Sequence, residues 1–277
     1  MTGEALFHDE AGMLVPGALA RGPWSPDALH GGPVAALLAH VAEQAETPGP
    51  MHPARLTVEL LRPVPLAPLR PVRRVLRPGR KVQLVESALF AGETEVARAT
   101  LLRLRRAKLA LPATVRGGPS DPPPPPSASR ATNAPWRGSP GDPAGAAVAY
   151  HSHATEHRLV RGEWGAPGPC TDWIRLRVPL LPGTPPSPLV RVAAVADFGN
   201  GIGSALPYEA FTFVNADLTI HLHRLPEAPA GPSDGGWVCL DAATWPDEDG
   251  VAIAESTLYD ERGRIGRALQ SLLLEPR

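Results

Sequence analysis

At 277 residues with a formal net charge of −1, the chain is long enough for one large or two modest domains and offers no field to gather nucleic acid or anionic lipid. No apolar run approaches the roughly 18–20 residues that span a bilayer. Two cysteines, Cys170 and Cys239, build neither a metal spacing nor a disulfide framework, and the acidic stretch from Met1 to Glu10 lacks a basic-then-apolar signal pattern, so a soluble, cytoplasmic protein is expected.

The first helix is expected from Pro33 to Gln44, entered through His30-Gly31-Gly32, with Pro33 suited to the first helical position. Val34, Leu37, Leu38 and Val41 recur at helical spacing and make one stripe apolar. Strands are expected over 54–62, 69–76, 81–90 and 95–106. Pro78-Gly79 marks a turn, because proline presets one backbone angle and glycine accepts a positive one. Arg77, Arg80 and Lys81 flank it, either as a solvated hairpin tip or as partners for phosphates. The run Pro122–Pro126 predicts extended polyproline II, inside a small and polar stretch from about Leu111 to Gly145 that reads as a linker.

The second half repeats this order. Strand-like residues 148–160 and 173–178 lead to Ser187-Pro188, an N-cap followed by an N1 proline. The helix Leu189–Ala196 has Arg191 as its only polar residue before Asp197 and should stop near Gly199. A helix apolar nearly all round must be wrapped rather than laid on a surface. Strands over 211–224, 236–243, 251–259 and 265–274 follow. The repeated pattern predicts an α+β double hotdog, with two antiparallel sheets, each wrapped around a long central helix, pairing edge to edge. The implied division is an N-terminal repeat over 1–108, a Pro-rich linker over 109–146 and a C-terminal repeat over 147–277.

Several residues stand out against this apolar background. Asp197 ends the second helix, where the macrodipole and desolvation both raise the cost of a carboxylate unless a donor compensates. It reads either as a general base or as a cap of the turn Phe198-Gly199-Asn200-Gly201. Gln270 shares a strand face with Gly266, Ala268, Leu272 and Leu274, and the first half has Leu101 at the equivalent place. A lone amide on such a face must be hydrogen-bonded or it costs about 1–3 kcal/mol. Asn215, Asp217, Thr219, His221 and His223 alternate along one strand as a polar face, solvated or meeting another subunit. His221 and His223 have no third ligand placed by spacing, so no metal is expected. His30-Gly31-Gly32 offers backbone N–H groups at a helix start, as an oxyanion site or as an ordinary entry turn.

With these motifs in order, the sequence resembles the thioesterase-like superfamily, in particular the double-hotdog acyl-CoA thioesterases of the acyl-CoA thioesterase II type. In the first half the resemblance rests on Gly22-Pro23-Trp24, Leu29-His30-Gly31-Gly32-Pro33, Arg62-Pro63-Val64-Pro65 and Arg77-Pro78-Gly79-Arg80. In the second it rests on Ala196-Asp197-Phe198-Gly199-Asn200-Gly201, Asn215-Ala216-Asp217-Leu218-Thr219 and the stretch from Tyr259 to Gly266, ending with Gln270. The resemblance implies hydrolysis of an acyl-CoA thioester by water without a covalent intermediate. It implies no cofactor, the CoA moiety being part of the substrate, and a homodimer or higher homo-oligomer. Such enzymes position water with an Asp, a Thr or Ser, and a Gln. Asp197 and Gln270 match two of these, and the hydroxyl position falls on Asn215, a departure that leaves Thr219 or Thr212 as alternative sources of the hydroxyl. His30, Gly31, Gly32, Asn200 and Gly201 are the implied substrate-binding residues. The competing reading from the same departure is a hotdog that binds acyl-CoA or acyl-carrier protein without hydrolysing it.

Overall fold

The structure, a computed structural model, describes residues 4–115, 117–118, 121–132, 148–227 and 236–277. The remaining part of the expected linker lies outside the described residues. In chain order the elements are β1 (Phe7–Glu10), β2 (Met13–Pro16), α1 (Gly31–Glu43), β3 (Met51–Leu60), β4 (Arg70–Pro78), β5 (Val82–Ala91) and β6 (Thr94–Arg105). They continue with β7 (Arg130–Thr132), β8 (Thr155–Arg161), β9 (Cys170–Leu176), α2 (Pro188–Ala196) and α3 (Phe198–Gly203). Strands β10 (Phe211–Asn215), β11 (Asp217–Leu222), β12 (Val238–Pro246), β13 (Val251–Asp260) and β14 (Gly263–Pro276) complete the chain.

The strands of the two halves meet edge to edge, so that among the described residues they form one twelve-stranded sheet in the order β4-β5-β6-β3-β11-β14-β13-β12-β9-β8-β7, with β10 also on β14. Every pairing in it is antiparallel. The seam between the halves is β3 against β11, where Val58 faces Leu218 and Leu56 faces Ile220. All four are buried, so the apolar layer runs through the seam and neither half leaves an open edge there. Helix α1 packs on β3–β6, α2 and α3 pack on the second-half strands, and α1 meets α2 directly. A side chain at Gly32 would collide with the Ala194 carbonyl, so glycine is what lets these two helices approach.

Three further contacts tie distant segments. Ser187 caps α2 by accepting from the Val190 N–H, and its hydroxyl donates to Glu43 at the end of α1 at 2.5 Å. Burial pushes the Glu43 carboxyl up, and the Ser187 hydroxyl and Arg103 pull it back only in part. The hairpin β1–β2, which the sequence pattern does not announce, turns at Ala11-Gly12 with φ of 53° and 85°, the positive pair that a tight hairpin needs. Leu6 and Phe7 then donate their N–H groups to the carbonyls of Pro179 and Leu180 in the other half.

One described part of the expected linker is docked. The Pro124 carbonyl accepts from the Trp173 indole at 2.8 Å, Pro126 is buried, and β7 pairs with β8. Trp173 is fully buried, so its N–H must find a partner, and the proline run supplies one.

Candidate active site

Asp197 interrupts the second helix rather than ending it: α2 closes at Ala196, α3 opens at Phe198, and Asp197 is 8% exposed between them. Its carboxylate meets groups from three other elements. Asn215 Nδ2 donates to Oδ1 at 2.8 Å, Gln270 Nε2 donates to the same oxygen at 3.1 Å, and His30 Nδ1 lies 2.9 Å from Oδ2. The sequence places this acid against the negative end of a helix; the structure turns that argument round. The carboxylate oxygens lie 2.7 Å from where a side-chain carbon of Gly31 would sit, so they face the N-terminal, electropositive start of α1. Gly31 is required there for space.

Gln270 is 3% exposed and all of its polar atoms are engaged. Besides Oδ1, Nε2 donates to the Asp197 backbone carbonyl at 3.1 Å, and Oε1 accepts from the Asn200 N–H at 3.0 Å. The amide therefore spans the break between α2 and α3 and uses the backbone groups that the break frees. Gly199 admits it, because a side-chain carbon there would lie 2.9 Å from Oε1.

Asn215 reaches Asp197 through a β-bulge. Asn215 faces Leu272 and Thr219 faces Leu269, so four steps along β10–β11 oppose three along β14. Across this shift the inward series changes from Phe213 and Asn215 to Leu218, Ile220 and Leu222. The expected single polar face is thereby corrected: Asn215 turns inward, while Asp217, Thr219 and His221 stay on the other side. Asp217 Oδ1 accepts the Ser271 N–H at 2.7 Å and stabilises the bulge. Thr219 lies between Thr57 and Leu269 and lines no described cavity, and Thr212 donates to the Glu275 carbonyl. The structure brings Asn215, not a threonine, to the acid.

His30 caps α1: the Gly32 N–H lies 3.0 Å from the same Nδ1 that faces Asp197. One ring nitrogen cannot accept from Gly32 and donate to Asp197 at once, so the position of a single proton decides between capping the helix and gripping the carboxylate. The ring rests against Tyr150 and Phe198, each at 5.0 Å. Tyr150 donates to the Ala194 carbonyl at 2.8 Å, and burial, with Asp197 nearby, holds its phenol well above the ordinary tyrosine value.

Two cavities open on the carboxylate. One, of about 60 Å³, is lined by Asp197, Asn200, Gly201, Asn215 and Gln270 together with aromatic rings; the other, of about 420 Å³, is mostly apolar and reaches His30 and Gly31. His151 lines the small cavity and was not singled out in the sequence. It sits in a single π-helical turn, Tyr150–Ala154. Burial, then the neighbouring His30, His157 and His153, lowers its pKa to about 3. The imidazole is thus neutral at pH 7. Trp164 and Tyr208 were missed likewise, because they come from remote loops without a periodic signal.

Among the described residues no group of three or more His, Cys, Asp or Glu side chains converges to hold a metal ion, and no helix is long and apolar enough to cross a membrane.

The architecture is shared with solved structures. A protein named as a thioesterase II from Thermobifida fusca YX is 18% identical, with 99% of this chain and 96% of that chain covered and a TM-score of 0.69. A protein with a hot dog fold from Alicyclobacillus acidocaldarius is 17% identical, with 97% and 95% covered and a TM-score of 0.69. Acyl-CoA thioesterase II TesB2 from Mycobacterium marinum is 15% identical, with 99% and 95% covered and a TM-score of 0.62. At these identities the likeness establishes a hotdog fold. No curated protein matches the sequence. The acyl-CoA thioesterase N-terminal domain model matches residues 20–104, and the C-terminal domain model matches residues 119–274. With more than half of the sequence matched by the second alone, the chain belongs to the acyl-CoA thioesterase family of enzymes.

Proposed function

We propose that the chain hydrolyses an acyl-CoA thioester with a water molecule held by Asp197, Asn215 and Gln270. The observation that carries this reading is the convergence of Asn215, Gln270 and His30 on one buried carboxylate that opens on two cavities. In the proposed step Asp197 accepts a proton from water as the oxygen attacks the thioester carbonyl. The C–O bond forms, the C–S bond breaks, and the CoA thiolate leaves, needing little acid assistance. The proton on Asp197 then returns to solvent or to the thiolate. Both Nε2 hydrogens of Gln270 are engaged by Asp197 and the Gly32 N–H meets His30, which favours the helix-start N–H group of Gly31 for the developing oxyanion. His30 and the Asn200–Gly201 backbone form the proposed rim for the thioester.

The same proposal covers the finer organisation: repeats over 1–108 and 147–277, a linker between them, each repeat curled around its own helix, one active site per chain, no cofactor, a cytoplasmic setting and assembly into a homodimer or larger. The test is thiol release by purified protein from acyl-CoAs of graded length. Asp197→Asn, nearly isosteric, is expected to lower the rate by about 10²–10⁴-fold with the fold retained. An unchanged rate in that variant overturns the assignment.

A further inference from the structure

The two cavities at Asp197 share five lining residues, Pro23, Trp24, His30, Asp197 and Asn215. Three of these bear the polar groups already described. Pro23 and Trp24 supply the apolar part of the boundary. Trp24 is fixed from the small-cavity side: its ring stacks on Tyr208 at 6.2 Å and meets Phe213 edge-on at 5.8 Å. The Arg277 guanidinium lies 5.6 Å from its centre. Beneath it the chain is pinned by the Gly22 N–H to Ala28 carbonyl bond, and a side-chain carbon at Gly22 would sit tightly, at 3.0–3.1 Å, against the backbone of Leu29 and His30. The indole is 36% exposed, so it stands at a mouth and not in the core.

The cavities differ in what they can hold. About 60 Å³ accommodates on the order of four waters, and its acid and amide groups satisfy them. The larger cavity, lined by Leu29, Val34, Leu60, Val64, Val214 and Leu273, offers an apolar chain about 420 Å³. On the reading of the site given above, we propose that Trp24 is a specificity-determining wall. It confines the acyl chain to the large cavity, keeps the small one for water, and so excludes acyl groups with bulk directly beside the thioester carbonyl. The substrate class this assigns is straight-chain aliphatic acyl thioesters, in preference to acyl groups branched at the adjacent carbon or carrying an aryl ring there.

The experiment compares kcat/KM for a straight-chain acyl-CoA, its 2-methyl-branched counterpart and benzoyl-CoA, in wild type, Trp24→Ala and Trp24→Phe. The wild type is expected to favour the straight chain. Trp24→Ala should shift the ratio at least tenfold toward the bulky substrates, and Trp24→Phe, which keeps an aromatic contact with Tyr208 and Phe213, should shift it less in the same direction. A purely structural role would lower all three values together; a ratio that moves less than twofold overturns the wall. If Trp24→Ala does not fold, Trp24→Leu and Trp24→Phe read the same ratio. A wild type that hydrolyses straight-chain substrates with an unmoved variant ratio removes this inference alone, whereas a wild type inert toward every acyl-CoA removes the proposed function and the wall with it.

Discussion

Helix α1 runs unbroken from Gly31 to Glu43, whereas its counterpart in the second half stops at Ala196 and resumes at Phe198. Both bury nearly every residue and both lean on the sheet. The interruption adds chemistry to packing. A continuous helix spends its carbonyls on its own N–H groups four residues on, but the break at Asp197 leaves a carbonyl and an N–H for Gln270 to bridge. The strands beneath repeat the contrast, with Leu101 wholly buried in β6 and Gln270 at 3% exposure in β14. One half keeps a sealed apolar layer, and the other opens the same layer just enough to hold an acid and its donors.

The sharpest way to break this contrast is to make the second half like the first. Gln270→Leu should reduce thioester hydrolysis by about 10²–10³-fold, since it removes a donor to the acid. Because the Asn200 N–H is left without its acceptor, urea denaturation should also report a loss of about 1–3 kcal/mol. Gly31→Ala comes next: its methyl group would press on both carboxylate oxygens, and displacing them by a fraction of an ångström is expected to cost up to about 10²-fold in rate while α1 itself gains helix propensity. Steady-state rates beside melting curves separate the two effects. Asn215→Thr should keep activity within about tenfold, because a hydroxyl on the inward side of the bulge can still donate to Asp197, and Asn215→Leu should fall well below it. The reverse exchange, Leu101→Gln, should lower stability by about 1–3 kcal/mol and leave the rate untouched, because no acid waits beside it.

The last prediction concerns protons. A histidine held neutral in the fold but free to charge when unfolded binds fewer protons folded than unfolded between its two pKa values, so stability must fall as pH falls across that window. For His151 the window runs from 6.5 down to about 3. His151→Gln should flatten the decline of the urea midpoint across that range, and a decline as steep as in the wild type would assign it to other groups.

Asp197 and Gln270 were legible in the sequence because each is a polar residue in an apolar period, and burial makes such residues costly unless they are partnered. Asn215 was legible only as a position. Alternation gave it the wrong face, because a bulge at Ala216 leaves no mark in a pattern of period two. The seam β3–β11 was hidden for a related reason: an edge strand and a paired strand share the same alternation, and only the partner distinguishes them. His151, Trp164 and Tyr208 could be found only once the fold had brought a turn and two loops together, whereas Trp24 already stood in the Gly22-Pro23-Trp24 motif, with no role attached to it.

The contact of Leu6 and Phe7 with Pro179 and Leu180 has a consequence for biosynthesis. The N–H groups of these two buried residues have no final acceptor until more than 170 further residues have been made. At about 5–20 residues per second the ribosome needs roughly 9–35 seconds for that interval. During it the first half also lacks the strand that seals its seam, and the nascent chain is a natural client for whatever holds unfinished proteins apart.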